Sequence, residues 1–112
     1  MNKLNAGRLN QRVRIEKPVI TQDPETGALT EAVQVVGTVF ASVEPLSARE
    51  FIAAQQTQSQ ITARIVIRYR AGLTADMRLV HVATGTVYNV HGVIPDPVTG
   101  KEWITLPCSV VA

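Results

Sequence analysis

The chain has 112 residues, 46% of them hydrophobic and 18% charged, with a formal net charge of +2. That length supports one domain and one core, and the composition is that of a folded chain rather than a disordered one. No apolar run approaches the ~20 residues of a membrane span, Met1 to Asn5 lacks the apolar stretch of a signal peptide, and a lone cysteine, Cys108, rules out an internal disulfide and points to a reducing cytoplasm.

Residues 1–8 read as a loose arm with Gly7 as a hinge. Leu9, Val13 and Ile15 then alternate with Arg12, Arg14 and Glu16, a half-buried first strand running to about Ile20. Asp23-Pro24-Glu25-Thr26-Gly27 is turn chemistry, with proline setting φ early and glycine accepting positive φ late. A long Val-rich second strand follows from Ala32 to Val43, with Gly37 as a bulge or bend and Glu44-Pro45 as its stop. Ser47 and Glu50 form an S-x-x-E capping box, so a short helix is expected from there to about Gln56. The whole insertion, 44–60, is long for a domain of this size, and such connections are more often functional than idle.

The third strand, Ile61 to Arg70, shows the clearest alternation in the chain. Ile61, Ala63, Ile65, Ile67 and Tyr69 fall on one face and Thr62, Arg64, Arg68 and Arg70 on the other, with Val66 the exception. Met77 to Val82 and Thr86 to Ile94 flank Ala83-Thr84-Gly85 as a hairpin. Pro95-Asp96-Pro97-Val98-Thr99-Gly100 repeats the Asp-Pro-x-Thr-Gly turn of 23–27, and Glu102 to Val111 forms a last strand in which Pro107 implies an edge or a bulge. The expectation is a mainly β fold: a small six-stranded antiparallel β-barrel whose long loop between strands 2 and 3 carries one short α-helix. A barrel is preferred to a sandwich because closure removes exposed strand edges.

No P-loop, G-x-G-x-x-G, G-x-S-x-G, H-E-x-x-H or paired-carboxylate motif is present, so no enzyme is indicated. No cofactor is implied. His81 and His91 lie on neighbouring strands, but a metal site needs more ligands and only Cys108 is available as a soft one; none is expected. Cys108 has no local base or cation to make it a nucleophile and reads as a small core side chain.

Charge is segmental. Lys3, Arg8, Arg12, Arg14 and Lys17 stand against Glu16 at the start; Asp23, Glu25, Glu31, Glu44 and Glu50 stand against Arg49 in 18–60; Arg64, Arg68, Arg70 and Arg78 stand against Asp76 in 61–80. Alternating blocks suit complementary faces on a protein partner or on copies of the same chain. The Arg64/Arg68/Arg70 and Arg12/Arg14 stripes could also hold phosphates, but single-strand-binding barrels need stacking aromatics as well, and Tyr69 alternates away from the arginines. Phe51 and Ile52 either cap the barrel mouth or project with Gln55, Gln56, Gln58 and Gln60 towards a neighbour.

Taken together, several segments resemble the small head–tail joining (head-closure, adaptor or stopper) proteins of tailed bacteriophages. They are Gly7-Arg8-Leu9-Asn10-Gln11-Arg12-Val13, Phe40-Ala41-Ser42-Val43-Glu44-Pro45-Leu46-Ser47-Ala48-Arg49-Glu50, Arg64-Ile65-Val66-Ile67-Arg68-Tyr69-Arg70, Asp76-Met77-Arg78 and Val87-Tyr88-Asn89-Val90. Each is weak alone; order, spacing and total length carry the resemblance, and Phe40 departs from it where tryptophan is more usual, a core aromatic being expected there either way. The resemblance implies a non-enzymatic virion protein of the phage or prophage neck, made in the host cytoplasm and monomeric when free. Copies would form a ring beneath the portal (connector), close the DNA-filled head and join a tail-side neck protein. Packaged double-stranded DNA would pass through the ring or be retained by it, with the 44–60 loop reaching towards the channel. The interface residues expected on this reading are Arg8, Arg12, Arg14, Glu44, Leu46, Arg49, Glu50, Phe51, Ile52, Gln55, Gln56, Arg64, Arg68 and Arg70. Leu46, Phe51 and Ile52 would supply affinity, and Glu44 and Glu50 would repel phosphate. A sibling neck or tail-completion ring protein is the alternative, and a barrel-like nucleic-acid-binding module the more distant one.

Overall fold

The computed structural model describes residues 9–57 and 60–111, so the expected arm at 1–8 lies outside the described residues. Seven strands and one helix follow in chain order: β1 (Gln11–Gln22), β2 (Leu29–Pro45), α1 (Ala48–Gln56), β3 (Ala63–Arg68), β4 (Arg78–His81), β5 (Val87–Val90), β6 (Ile94–Pro95) and β7 (Trp103–Val110). The sheet order is β3-β2-β1-β4-β5-β7-β6, and β3 also pairs with β7. Six strands therefore close into an antiparallel ring, while β6 lies against the part of β7 that β5 does not reach.

Period-2 alternation decides what faces inward. Ala63, Ile65 and Ile67 of β3 meet Val13 and Ile15 of β1, Leu79 of β4, and Ile104, Leu106 and Cys108 of β7 in a single core. Each fully buried branched side chain there contributes about 1.5–3 kcal/mol relative to exposure. Tyr69, assigned from sequence to the inward face, is 43% exposed instead. β3 ends at Arg68, so the next inward-phased residue lies past the end of the ring.

Two further expectations change. Glu44-Pro45 does not stop β2: Glu44 pairs with Arg64 and Pro45 with Ala63, and the chain leaves the sheet only as Leu46 N–H donates to the Thr62 carbonyl at 3.1 Å. Proline is tolerated there because β1 has already parted from β2 at Ala41, leaving that side of the strand without a ladder among the described residues. Pro107 does not mark an edge, since β7 is flanked by β3 on one side and by β5 and β6 on the other. Its carbonyl accepts from His91 N–H at 2.8 Å, so its ring nitrogen faces the break between β5 and β6, where no ladder bond is lost.

The bulge expected near Gly37 is present. Ile15 opposes Gly37 and Glu16 opposes Val35, leaving Val36 as the extra residue. A Cβ on Gly37 would come within 3.0 Å of the Arg70 guanidinium, which folds over this point and donates to the Val36 carbonyl at 3.4 Å.

The two Asp-Pro-x-Thr-Gly turns are built alike. Asp23 and Asp96 each accept from the backbone N–H two residues on, and Gly27 and Gly100, both at φ 71°, donate back to the aspartate carbonyls. Both glycines occupy left-handed backbone that other residues adopt only at a cost.

Candidate assembly surfaces

The insertion after β2 is anchored through the first turn of its helix. Ser47 Oγ accepts from Glu50 N–H, and the Glu50 carboxylate accepts from Ser47 N–H, each at 3.2 Å, completing the expected capping box. Glu50 also forms an ion pair with Arg64 of β3 at 2.8 Å, tying the first turn of α1 to the barrel wall. The Ser47 backbone hydrogen bond, with help from Arg64, lowers the Glu50 pKa below its ordinary value. None of the helix residues is buried. Phe51 is 46% exposed and Ile52 59%, with Arg49, Gln55 and Gln56 exposed beside them. Of the two readings open for Phe51 and Ile52, capping the core is therefore excluded. Leu46 and Glu44 are half-buried at the root of the insertion.

The arginines do not form one free cationic face. Arg64 is engaged by Glu50 and Arg70 lies over the β2 bulge. Arg14 and Arg78 both donate to the Glu16 carboxylate, at 2.7 and 2.8 Å, on opposite oxygens. Burial opposes ionisation of Glu16, but these two guanidinium partners outweigh it and its pKa is lowered. Arg12 is exposed opposite Phe40 in the β1–β2 register, and Arg68 is exposed at the end of β3. Arg8 lies outside the described residues.

Two surfaces escape the sequence reading. One is a cleft of about 460 Å³ lined by Leu9, Val39, Phe40, Arg68, Tyr69 and Arg70. It gathers two aromatic rings that the sequence assigns to the core but that are exposed, Phe40 at 59% and Tyr69 at 43%, with two guanidinium groups. Strand alternation places Tyr69 and the arginines on opposite faces; the end of β3 lets them share a cleft.

The other surface is the outer part of the β1–β2 hairpin. β4 covers β1 only from Val13 to Glu16, and β3 covers β2 only from Ala41 to Pro45. Beyond those limits the two long strands run on as a ribbon paired only to each other among the described residues, and the molecule measures 54 × 32 × 27 Å. Register places Pro18 opposite Val33, Ile20 opposite Glu31 and Gln22 opposite Leu29 on one face. Ile20 is 70% exposed, Leu29 72%, Val35 54% and Val33 44%. The sequence reading, with its second strand at Ala32 to Val43, carries no sign of this ribbon; it appears only in the structure, where β3 has six residues and β4 four beside a β2 of 17.

The histidines and the cysteine each take a partner within the fold. His81 Nε2 bonds Gln11 at 2.8 Å and His91 Nε2 bonds Ser109 at 2.8 Å, so the two rings take separate partners. Among the described residues no His, Cys, Asp and Glu cluster could hold a metal ion. Burial pushes the Cys108 thiol up to about 12, and it donates to the Leu106 carbonyl. No described helix is long and apolar enough to cross a membrane.

Comparison with known proteins agrees with this picture. A protein of Shigella flexneri 2a, solved in solution, matches with a TM-score of 0.77 and 29% identity, over 97% of this chain and 98% of that one. A chain from the virion of a native gene transfer agent particle shares the fold at a TM-score of 0.57 and 15% identity, over 91% and 94% of the two chains. Among curated proteins no match is found. The family model for phage head completion proteins matches residues 4–111. With a helix-bearing insertion on a closed six-stranded ring and a family match over nearly its whole length, this chain belongs to the phage head completion protein family, a structural component of the virion.

Proposed function

We propose that this chain is a non-enzymatic neck protein that docks beneath the portal as a ring, closes the DNA-filled head and connects it to the tail. The observation that carries the reading is α1, a capped helix with no buried residue that presents Phe51 and Ile52 to solvent from an ion-paired root. A helix with an exposed aromatic–aliphatic pair gains its burial from a partner. The partners on this reading are the portal ring, a tail-side neck protein and further copies of the chain, with packaged double-stranded DNA passing through or retained by the 44–60 loop. Glu50 is countered by Arg64, which weakens the repulsion of phosphate proposed for it. The free chain is a monomer in this scheme, because early self-association would compete with ordered addition.

Light scattering of the chain alone and mixed with the portal encoded beside it tests the reading. A monomer that joins the portal in multiple copies supports it. A second reading, a nucleic-acid-binding module, is favoured by the Phe40–Tyr69 cleft with Arg68 and Arg70. Tight, steeply salt-dependent binding to single-stranded DNA without portal association would replace the first reading with the second. Association with a tail-side ring instead of the portal would move the chain to a sibling layer of the neck.

A further inference from the structure

The β1–β2 ribbon and the Phe40–Tyr69 cleft are complementary surfaces of one molecule that cannot meet within it. From Leu29, near the tip, to Phe40, at the cleft, β2 advances about 36 Å at roughly 3.3 Å per residue. The ribbon from 17 to 35 carries Asp23, Glu25 and Glu31 against Lys17 alone, and its outer face adds Ile20, Leu29 and Val33. The cleft offers the reverse: two exposed rings for apolar contact, flanked by Arg68 and Arg70. A two-stranded ribbon with apolar side chains at 70% and 72% exposure is marginal alone and gains from being covered.

We infer that the tip of the β1–β2 ribbon, through Ile20, Leu29 and Glu31, seats in the Phe40–Tyr69 cleft of the next copy of this chain. The contact joins two different patches, so it is heterologous; repeated with a closing rotation, it generates a ring. The occupant is a second copy because one chain supplies both halves, acidic-apolar and basic-aromatic. This inference rests on the neck reading and gives the ring its lateral contact, leaving α1 free for axial partners.

The test uses particles produced by the genetic element that encodes the chain. In particles carrying both Glu31→Cys and Arg68→Cys, a short bismaleimide should link the chain into dimers, trimers and longer multimers. Background from Cys108 is low because that thiol is buried. Particles that contain the chain but yield no multimers overturn the inference while leaving the neck reading intact. So does Glu31→Cys alone giving dimers, which means ribbon against ribbon, or linkage to a different virion protein. Wild-type particles that lack the chain altogether overturn the neck reading itself, and the inference with it.

Charge reversal supplies a second measurement that does not depend on cysteine geometry. Glu31→Arg and Arg68→Glu should each lower infectious titre by about tenfold or more, since like charges facing each other across an interface disfavour docking. The double reversal should restore most of it. Singles that melt like wild type and leave titre unchanged, or a double no better than either, refute the pairing.

Discussion

Replacing Glu16 by glutamine tests how the barrel closes between β1 and β4. Glu16 lies in register with Arg78 across that ladder and is 5% exposed, although both of its guanidinium partners are more than 40% exposed. A hydrogen bond to a charged group contributes about 1.5–3 kcal/mol when shielded and an open surface pair about 0–1 kcal/mol. With one partner of each pair buried and the other in water, the two together contribute about 1.5–3 kcal/mol. Glutamine keeps the shape and one acceptor oxygen but abolishes both ion pairs. At this chain length about 4 °C of melting temperature corresponds to each kcal/mol, so Glu16→Gln should melt about 6–12 °C below wild type at pH 7. The folded-state pKa is lowered from 4.5, so the carboxylate contributes fully above that value and its contribution fades as pH falls below it. Thermal melts followed by circular dichroism at pH 7 and pH 3 should therefore show a gap at the first and a much smaller one at the second. A gap under about 2 °C at pH 7, or one undiminished at pH 3, would refute the assigned role of the Arg14–Glu16–Arg78 cluster.

Other expectations concern single elements. Asp96→Asn should lower the melting temperature more than Asp23→Asn, because Asp96 is buried and accepts from the N–H groups of Val98, Thr99, Gly100 and Glu102, whereas Asp23 is exposed and accepts from Glu25. Those bonds hold the Asp96 carboxyl far below its ordinary value despite burial, so its contribution should persist at pH values where exposed aspartates are already protonated. Ser47→Ala should cost α1 about 0.5–2 kcal/mol of local stability, read as faster amide exchange over 48–56. The barrel melt should barely move, because no helix residue is buried. Cys108 should stay unreactive to a thiol reagent at pH 8 in the folded protein and react once denatured, as its thiol is fully buried and pushed up to about 12; rapid labelling of the native chain would contradict its placement in the core.

Much of the architecture is written locally in the chain. The capping box needs only Ser47 and Glu50, each Asp-Pro turn needs only five residues, and the alternation of Ala63, Ile65 and Ile67 shows which side of β3 faces the core. The segmental charge pattern is equally plain in the sequence, but its pairing is not. Arg64 meets Glu50 of the insertion, and Glu16 takes an arginine from its own strand and another from β4, sixty-two residues away. Alternation also misleads wherever a strand ends, as Tyr69 does just beyond Arg68.

What the sequence determined by itself is thus the β class, the helix and its cap, the bulge at Gly37, and the inward face of β3 from Ala63 to Ile67, all set by backbone chemistry and period within a few positions. What only the tertiary structure decided is which strands adjoin and where each ceases to have a neighbour. Ring closure puts β7 between β3 and the broken β5–β6 segment, which accommodates Pro107; it leaves the far half of the β1–β2 hairpin uncovered and brings Phe40 and Tyr69 into one cleft. These outcomes depend on relative strand lengths and register summed around a closed sheet, and no local stretch of the chain encodes that sum.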